Sequence, residues 1–364
     1  MAVDQWRLGR RPELDGLRGV AILLVVFCHA SSLSIGRDVF RSMGSAGVTV
    51  FFTLSGFLIT SLFVQEPHLG RFYRNRAVRL LPALAFAIAG FWLLQTLIGF
   101  RLLYGVGWVI GYLANWRLIA GGNLGVFDIA WSLSVEEQFY LLWPVLLLAT
   151  RRWPRFQLAA TAALLLLSTG ARFLLYPIAG MDRAYLGSDT AGASLLVGCL
   201  LSLAARQGLR RFEIPTWMLA TGSALVLALA CDRASWNFAV LTPTVASWWT
   251  AVVIWARPPL TWRPLRYTGQ RSYAIYLWHT GILWVAVQVV GRSPIWTAFT
   301  VLLVFGIAEV SWRLVERPAQ AFRAGARTGA LPRKSGEGRT AQTPAAVTIA
   351  SVRKPASSPS STPR

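Results

Sequence analysis

An arginine and a histidine lie eleven residues apart in one mostly apolar stretch, LDGLRGVAILLVVFCHA, at residues 14–30. At about 100° per residue, this spacing places Arg18 and His29 on nearly the same helix face after about three turns. The rise between them is about 16 Å, so an arginine at a membrane surface would put the histidine near the bilayer centre. Ionisable side chains at that depth are costly and mark functional sites by default. His29 is therefore a candidate general base, and the alternative is a core histidine bonded to a neighbouring helix.

Two adjacent carboxylates interrupt a second apolar stretch, WSLSVEEQFYLLWPVLLL. A charged residue costs roughly 2.5–3.5 kcal/mol at the centre of a membrane helix and less near its end, so Glu136 and Glu137 need an explanation. One interpretation is a polar cavity open to the outer side, in which a carboxylate accepts a proton from a substrate or orients a base. The other is that the span begins later and that both acids cap it.

Four arginines lie three, two and three residues apart in RFYRNRAVRLLP, at residues 71–82. A basic segment with aromatic residues is typical of the cytoplasmic membrane interface. Arg74, Arg76 and Arg79 are therefore determinants of topology or, alternatively, ligands for the phosphates of a nucleotide-like donor, because arginine forks bind phosphate bidentately. Arg18 taken alone would be an interfacial anchor, which Asp15 could pair with from one turn earlier.

Three further ionisable residues fall in the last two apolar stretches. His279, in TGQRSYAIYLWHT, is either structural or a second ligand. Glu309 and Glu316 are seven residues apart, which places them on one face of the last predicted helix. Because Glu316 directly precedes Arg317, we expect it to pair locally, and Glu309 is the stronger candidate for a functional acid.

Membrane-spanning helices must position these residues. The 364-residue chain is 55% hydrophobic and 14% charged, with a mean hydropathy of +0.49, whereas about a quarter of the residues are charged in a soluble domain. The sequence therefore predicts an all-α integral membrane protein, a bundle of about ten transmembrane helices with a disordered C-terminal tail. The predicted spans are residues 17–34, 45–65, 80–100, 131–149, 157–176, 188–204, 214–231, 237–256, 272–290 and 295–315.

The segment 102–130 is apolar enough to suggest another span, but it is short and contains several glycines. If it crossed, ten arginines between the later spans would face outward, against the positive-inside rule. We therefore interpret it as an interfacial or re-entrant segment. Both termini are then cytoplasmic, and the chain divides into a cytoplasmic N-terminal segment (1–16), a transmembrane domain (17–318) and a disordered basic cytoplasmic tail (319–364).

The formal net charge of +21 does not by itself indicate a nucleic-acid partner. Most of the arginines lie between apolar stretches, where membrane topology explains them. The three cysteines, Cys28, Cys199 and Cys231, all fall in apolar stretches, so they suggest neither a disulfide framework nor a metal site. We therefore expect membrane lipids as partners, with no nucleic acid and no metal.

Five motifs, taken in order, resemble the acyltransferase-3 family of membrane-bound bacterial O-acyltransferases, over nearly all of residues 12–318. Arg18 and His29 match its first-span Arg-x10-His pattern, and FFTLSGFLIT resembles its second-span motif through Ser55, Gly56 and Phe57. RFYRNRAVRLLP resembles its arginine-rich third-span entry, and WSLSVEEQFYLLWP resembles its acidic motif. GQRSYAIYLWH and VERP resemble its late motifs.

The resemblance implies a multi-pass enzyme of the bacterial inner (plasma) membrane. It would transfer an acyl group, often acetyl, from cytoplasmic acyl-CoA to a hydroxyl of a cell-envelope carbohydrate, a glycolipid or a secondary metabolite, with no permanently bound cofactor. The expected catalytic residues are His29, Arg18, Glu136 and Glu137. The expected donor-binding residues are Arg18, Arg74, Arg76 and Arg79, and the expected acceptor-binding residues are Ser55, Tyr273, His279 and Glu309.

A proton-coupled transporter or flippase of a glycan or lipid is the alternative, since buried histidines and acids also form proton paths. Transporters often show two-fold internal repeats, and this sequence shows none that is convincing. Proton coupling would also leave the arginines of residues 71–79 without a role.

Overall fold

A computed structural model of the chain describes residues 9, 11–36, 40–209, 213–232 and 234–321. Within these residues the regular structure is helical, apart from one isolated antiparallel bridge between Leu103 and Gly125. The predicted all-α class is thereby confirmed. Nearly all of the predicted disordered tail lies outside the described residues.

The helices follow the predicted spans closely. In chain order they are α1 (Pro12–Ile35), α2 (Arg41–Gln65), α3 (Leu69–Ile98), α4 (Val106–Ile110), α5 (Ala114–Ile119), α6 (Ala130–Ala149), α7 (Pro154–Leu186), α8 (Ser188–Arg206), α9 (Thr216–Ala230), α10 (Thr242–Ala256), α11 (Arg263–Gln270), α12 (Ser272–Val290) and α13 (Pro294–Ser311). A π-helical turn, Asn237–Leu241, leads into α10, and another, Trp312–Glu316, follows α13.

Among the described residues, eight helical segments are long and apolar enough to cross a membrane. The remaining two predicted spans correspond to α9, which has only 15 residues, and to α6, which carries Glu136 and Glu137. Length and composition therefore support a multi-pass membrane protein without confirming the count of ten.

α3 differs most from its prediction. The basic segment 71–82 was expected to lie at the membrane interface before a span that begins at about residue 80. Instead, one 30-residue helix runs through both, with Pro82 inside it. All four arginines of this segment thus lie in the first three turns of a long helix, in which Arg76 and Arg79 are partly buried and Arg71 and Arg74 are exposed.

Glycines bring α1 into direct backbone contact with the segment before and within α11. A Cβ atom on Gly16 would collide with the carbonyl oxygen of Leu260, and one on Gly19 with that of Leu265. A Cβ on Gly269 would likewise collide with the carbonyl oxygen of Asp15. Because no larger residue fits at these positions, the glycines of LDGLRG fix the distance and rotation of α1, which also carries Arg18 and His29.

The segment 102–130 forms two short helices of five and six residues, α4 and α5, which are too short to cross a membrane. It folds against the rest of the protein through buried Leu102, Leu124 and Phe127. Asp128 accepts a hydrogen bond from the backbone N–H of Leu124 at 2.8 Å, while burial raises the pKa of its carboxyl above the usual value. This segment leads directly into α6 and so positions the start of the helix that carries the acidic pair.

Candidate active site

Two histidines from opposite ends of the sequence meet between α1 and α12. Nε2 of His279 lies 3.2 Å from Nδ1 of His29, and the ring centroids are 5.0 Å apart. His279 is completely buried, whereas His29 is only partly buried. Nδ1 of His29 also lies 2.9 Å from the carbonyl oxygen of Val25 in its own helix. One ring of the pair is therefore sealed in the protein, and the other retains access to its surroundings.

His29 lies in the C-terminal half of α1. It is about 26 Å along the helix from Pro12 and about 9 Å from Ile35, at 1.5 Å per residue. The predicted depth of this histidine, near the bilayer centre, depends on Arg18 lying at a membrane surface. The predicted span begins at residue 17. The helix begins five residues earlier, at Pro12.

Hydroxyl groups connect the histidine pair to the start of α6. The hydroxyl of Tyr276 lies 2.6 Å from the carbonyl oxygen of Ile129 and 2.7 Å from the hydroxyl of Ser132. The Tyr276 ring is 5.7 Å from that of His279, between centroids. Since Ser132 and Glu136 are four residues apart, they share a face of α6. Tyr276 therefore contacts both His279 and the start of α6, the helix that carries the acidic pair.

Arg76 of α3 neutralises the acidic pair of α6. Its Nη2 lies 2.6 Å from Oε1 of Glu137 and 3.6 Å from Oε2 of Glu136, and its Nε donates to Glu137 at 2.7 Å. The guanidinium also lies over the ring of Tyr140, 3.5 Å from its centroid. Since the acids are the seventh and eighth residues of α6, they do not cap the helix. The sequence analysis assigned Arg76 to the inner surface and the acids to an outer cavity, and did not foresee that the length of α3 would bring them together.

The remaining neighbours of the acidic pair come from several helices. Ser55 of α2 lies near Glu136. Tyr273 of α12 lies near Glu137 and donates to the carbonyl oxygen of Leu80 at 3.2 Å. The side chains of Arg76, Glu136 and Glu137 nevertheless retain 14 to 16% of their exposure. Residues of α2, α3 and α12 thus contribute to the surroundings of the acidic pair.

A second group of charges lies near the acidic pair. Arg18, which pairs with Asp15 at 3.6 Å, and Arg79 are close enough to each other and to Glu136 to interact electrostatically. Among the described residues, Arg79 makes no ion pair or side-chain hydrogen bond. Glu316 lies near Arg79, is 4% exposed, and has one oxygen without a hydrogen-bond partner.

Two of the predicted site residues lie elsewhere. Arg74 is exposed on α3. Glu309 accepts hydrogen bonds from Arg271, from Arg313 at 2.5 Å and from the hydroxyl of Tyr267 at 2.6 Å, so this acid is engaged in a structural ion-pair cluster.

Glu316 was expected to pair locally, but within the described residues the ion pairs are made by Glu309, and Glu316 is the more buried acid. The π-helical turn Trp312–Glu316 has more residues per turn than an α-helix, so Glu316 no longer shares the face predicted from α-helical spacing. π-turns are frequent at functional sites, and this one packs against α3 near Arg79.

Sequence analysis missed three participating side chains: Ser132, Tyr140 and Tyr276. Their spacing offered a signal, because Ser132 and Tyr140 are each four residues from Glu136, and Tyr276 is three residues from His279. In the described part of the chain, no group of three or more histidine, cysteine or acidic residues is arranged to hold a metal ion.

Comparisons with known proteins agree with the motifs. A family model described as the acyltransferase domain matches residues 11–312. YrhL of Bacillus subtilis is 32% identical, over 86% of this chain and 55% of the relative. The O-acetyltransferase OatA of Staphylococcus aureus is 29% identical, over 90% of this chain and 60% of the relative. The peptidoglycan O-acetyltransferase OatA of Listeria monocytogenes is 30% identical, over 84% of this chain and 55% of the relative.

The chain thus spans little more than half the length of the curated relatives that it matches. No solved structure matches it. The family match, by contrast, covers every helix from α1 to α13 and all of the residues placed in the site above except Glu316. The chain belongs to the acyltransferase-3 family.

Proposed function

We propose that this protein is a membrane O-acyltransferase that moves an acetyl or other short acyl group from cytoplasmic acyl-CoA to a hydroxyl of peptidoglycan or a similar cell-envelope glycan. The family match and the names of two relatives, which describe O-acetyltransferases, support the reaction class. The glycan acceptor comes from the Listeria relative, which is named as a peptidoglycan O-acetyltransferase. The distribution of arginines supports cytoplasmic termini, and membership of a family of bacterial membrane enzymes supports an inner-membrane location.

The observation that carries this proposal is a partly buried imidazole held by a second, sealed imidazole, on the same helix as Arg18. His29 and Arg18 are separated by about 16 Å along α1. An extended pantetheine arm has to bridge a comparable distance between the phosphates of CoA and its thioester. Donor phosphates near Arg18 would therefore place the thioester carbonyl near His29.

Arg18 and Arg79 are the best-placed ligands for the donor phosphates. Arg18 has only a long ion pair to Asp15, and Arg79 has no ion pair among the described residues. Arg76, by contrast, is held by both acids and by Tyr140, so we assign it to positioning the acids rather than to the donor. Arg74, being exposed, would contact the donor only at its outer end.

Transfer requires only a base and a leaving thiol. His29 accepts the proton of the acceptor hydroxyl as its oxygen attacks the thioester carbonyl. The new C–O bond forms, the C–S bond breaks, and the proton passes from the imidazolium to the departing sulfur, which leaves as free CoA. Glu136, whose contact with Arg76 is 3.6 Å long, retains more capacity to accept a hydrogen bond than Glu137. We therefore assign Glu136, with Ser55 and Tyr273, to orienting the acceptor.

The test uses the full chain purified in detergent, where no membrane gradient exists. Radiolabelled acetyl-CoA is supplied with soluble peptidoglycan oligosaccharides, and acetylated glycan is measured by mass spectrometry. We expect transfer by the wild type, its loss in His29→Ala, and its retention in His68→Ala, since His68 is exposed and remote from the site. Acetyl-CoA consumption without acetylated glycan would contradict this acceptor class. No consumption would contradict the acyltransferase function and favour the transporter.

Trapping separates direct transfer from a relay through acyl-imidazole. The labelled donor is incubated without acceptor and the protein is denatured rapidly. Direct transfer leaves no label on the protein, whereas label that disappears in His29→Ala would show that the histidine carries the acyl group.

A further inference from the structure

We propose that His279 is a positioning residue that fixes the tautomer of His29, so that Nε2 of His29 is the basic nitrogen. This inference rests on the proposed function for the reaction that His29 performs. It replaces the acceptor-binding role that the sequence predicted for His279.

The hydrogen-bond partners of His279 determine where its proton lies. Its Nδ1 is 2.8 Å from the carbonyl oxygen of Tyr276 and 3.2 Å from that of Ile275. Carbonyl oxygens only accept hydrogen bonds, so Nδ1 must carry the hydrogen. In a neutral imidazole, the other nitrogen then carries the lone pair. We assign this tautomer from the partners, and it makes Nε2 of His279 a hydrogen-bond acceptor.

That acceptor faces Nδ1 of His29. Nε2 of His279 at 3.2 Å and the Val25 carbonyl at 2.9 Å lie within hydrogen-bond reach of this nitrogen, and each is an acceptor. His29 must therefore carry its hydrogen on Nδ1, which leaves the lone pair on Nε2. The assignment for His29 follows from that for His279, because the opposite tautomer of His279 would present an N–H donor at Nε2.

The imidazole of His279 restrains the ring of His29 in a way that the Val25 carbonyl of the same helix does not. A carbonyl of the same helix accompanies any rotation of that helix, whereas His279 approaches from α12 and fixes the ring of His29 from outside. When His29 takes up a proton, its bond to Nε2 of His279 becomes charge-assisted and therefore stronger. This favours the imidazolium that forms during transfer without placing a permanent negative charge beside the acyl donor.

Burial makes His279 suited to positioning rather than to substrate contact. Its exposed fraction is zero, and both of its ring nitrogens have partners within the protein. The next residue of α12, Thr280, donates to the carbonyl oxygen of Val126 at 3.0 Å, and Tyr276 is bonded to the start of α6. These contacts hold the backbone that presents His279.

The test compares His279→Leu, which removes the acceptor, with His279→Gln, whose amide oxygen lies near the position of Nε2. We expect kcat to fall about 100-fold in His279→Leu, a typical contribution of general-base catalysis. KM for acetyl-CoA and for the glycan should change less than about threefold, because neither substrate touches the residue. The kcat of His279→Gln should be about tenfold higher than that of His279→Leu. An unchanged kcat in His279→Leu, or an equal rise in KM for the acceptor, would overturn the proposal.

A spectroscopic readout keeps the proposal testable without activity. The chain has only three histidines, so ¹⁵N-histidine labelling of the full chain gives few signals, and His29→Ala and His68→Ala assign them. We expect His29 to be protonated on Nδ1 in the wild type and in His279→Gln, and to become a mixture of tautomers in His279→Leu. Protonation on Nε2 in the wild type would refute the assignment. An inactive wild type with the expected tautomer would contradict the proposed function alone.

Discussion

Nη2 of Arg76 and Oε1 of Glu137, 2.6 Å apart, join α3 to α6. Both side chains are largely buried, and Glu136 adds a second, longer contact to the same guanidinium. Charges in such surroundings are tolerated because they are paired, and removal of one partner leaves the other uncompensated. The pairing therefore fixes the position of the acids in the proposed acceptor site.

Loss of this ion pair should destabilise the protein. We expect Arg76→Ala to lower the free energy of unfolding by about 3–5 kcal/mol, as the removal of one partner of a buried pair generally does. Arg76→Leu combined with Glu136→Gln and Glu137→Gln should be less destabilising than Arg76→Ala, because no lone carboxylate remains. Chemical unfolding in detergent micelles provides the measurement.

The exposed pair of Arg71 and Glu66 is the matched control for that experiment. Its atoms are 3.4 Å apart, with side chains that are 49% and 55% exposed. Arg71→Ala should cost at most about 1 kcal/mol, because solvent screens such pairs. Equal costs for Arg71→Ala and Arg76→Ala would contradict the importance given to the buried pair.

The donor site can be examined through the phosphates of CoA. We expect Arg18→Ala and Arg79→Ala each to reduce kcat/KM for acetyl-CoA about tenfold or more, which corresponds to the loss of a hydrogen bond to a charged group. With acetyl-pantetheine, which lacks the nucleotide phosphates, the same variants should resemble the wild type. Arg155→Ala, at an exposed arginine of α7, should leave both donors unaffected. Equal losses with both donors would show that Arg18 and Arg79 do not bind phosphate.

The sequence predicted the features that depend on local periodicity. Ten apolar stretches became helices, with limits near those expected except at the start of α3 and the end of α7. Arg18 was correctly separated from His29 by about three helical turns. Contacts across long sequence separations were beyond such reasoning. His29 and His279 are 250 residues apart, and only the packing of α1 against α12 brings them together.

The position of Arg76 could likewise not be predicted from local sequence. Its composition indicated an interface, and an interfacial segment would have kept Arg76 away from the acids. Helix propensity continued across the predicted boundary, so Arg76 entered the bundle in α3. Likewise, α-helical spacing grouped Glu309 with Glu316, and a π-turn separated them.

The glycines of LDGLRG should be sensitive to the smallest enlargement. We expect Gly16→Ala to destabilise the protein by about 1–3 kcal/mol, because the added methyl group would overlap the backbone of Leu260. Since α1 would then shift relative to α11, kcat/KM for acetyl-CoA should also fall. Gly170→Ala in α7 is the control, because a Cβ there meets no atom within 4 Å. It should be neutral or stabilise by up to about 1 kcal/mol, and a similar loss in both variants would contradict the contact.

Neutralisation of Glu309 should lower the stability of the protein, whereas neutralisation of Glu316 should not. Glu309→Gln is expected to lower the thermal stability in detergent, because Arg271, which is 8% exposed, would lose its carboxylate partner. Its kcat/KM per folded molecule should remain unchanged. Glu316→Gln should keep the stability of the wild type, because one oxygen of this buried acid has no partner to lose.

Removal of the Glu316 charge should instead change donor binding. The carboxylate lies near Arg79 and competes there with the phosphates of the donor, so KM for acetyl-CoA should fall about fivefold in Glu316→Gln, which corresponds to about 1 kcal/mol between charges. The fall should disappear with acetyl-pantetheine and in the Arg79→Ala background. An effect of Glu309→Gln on KM, with none from Glu316→Gln, would make Glu309 the functional acid, as the sequence suggested. It would also place the donor site away from the π-turn.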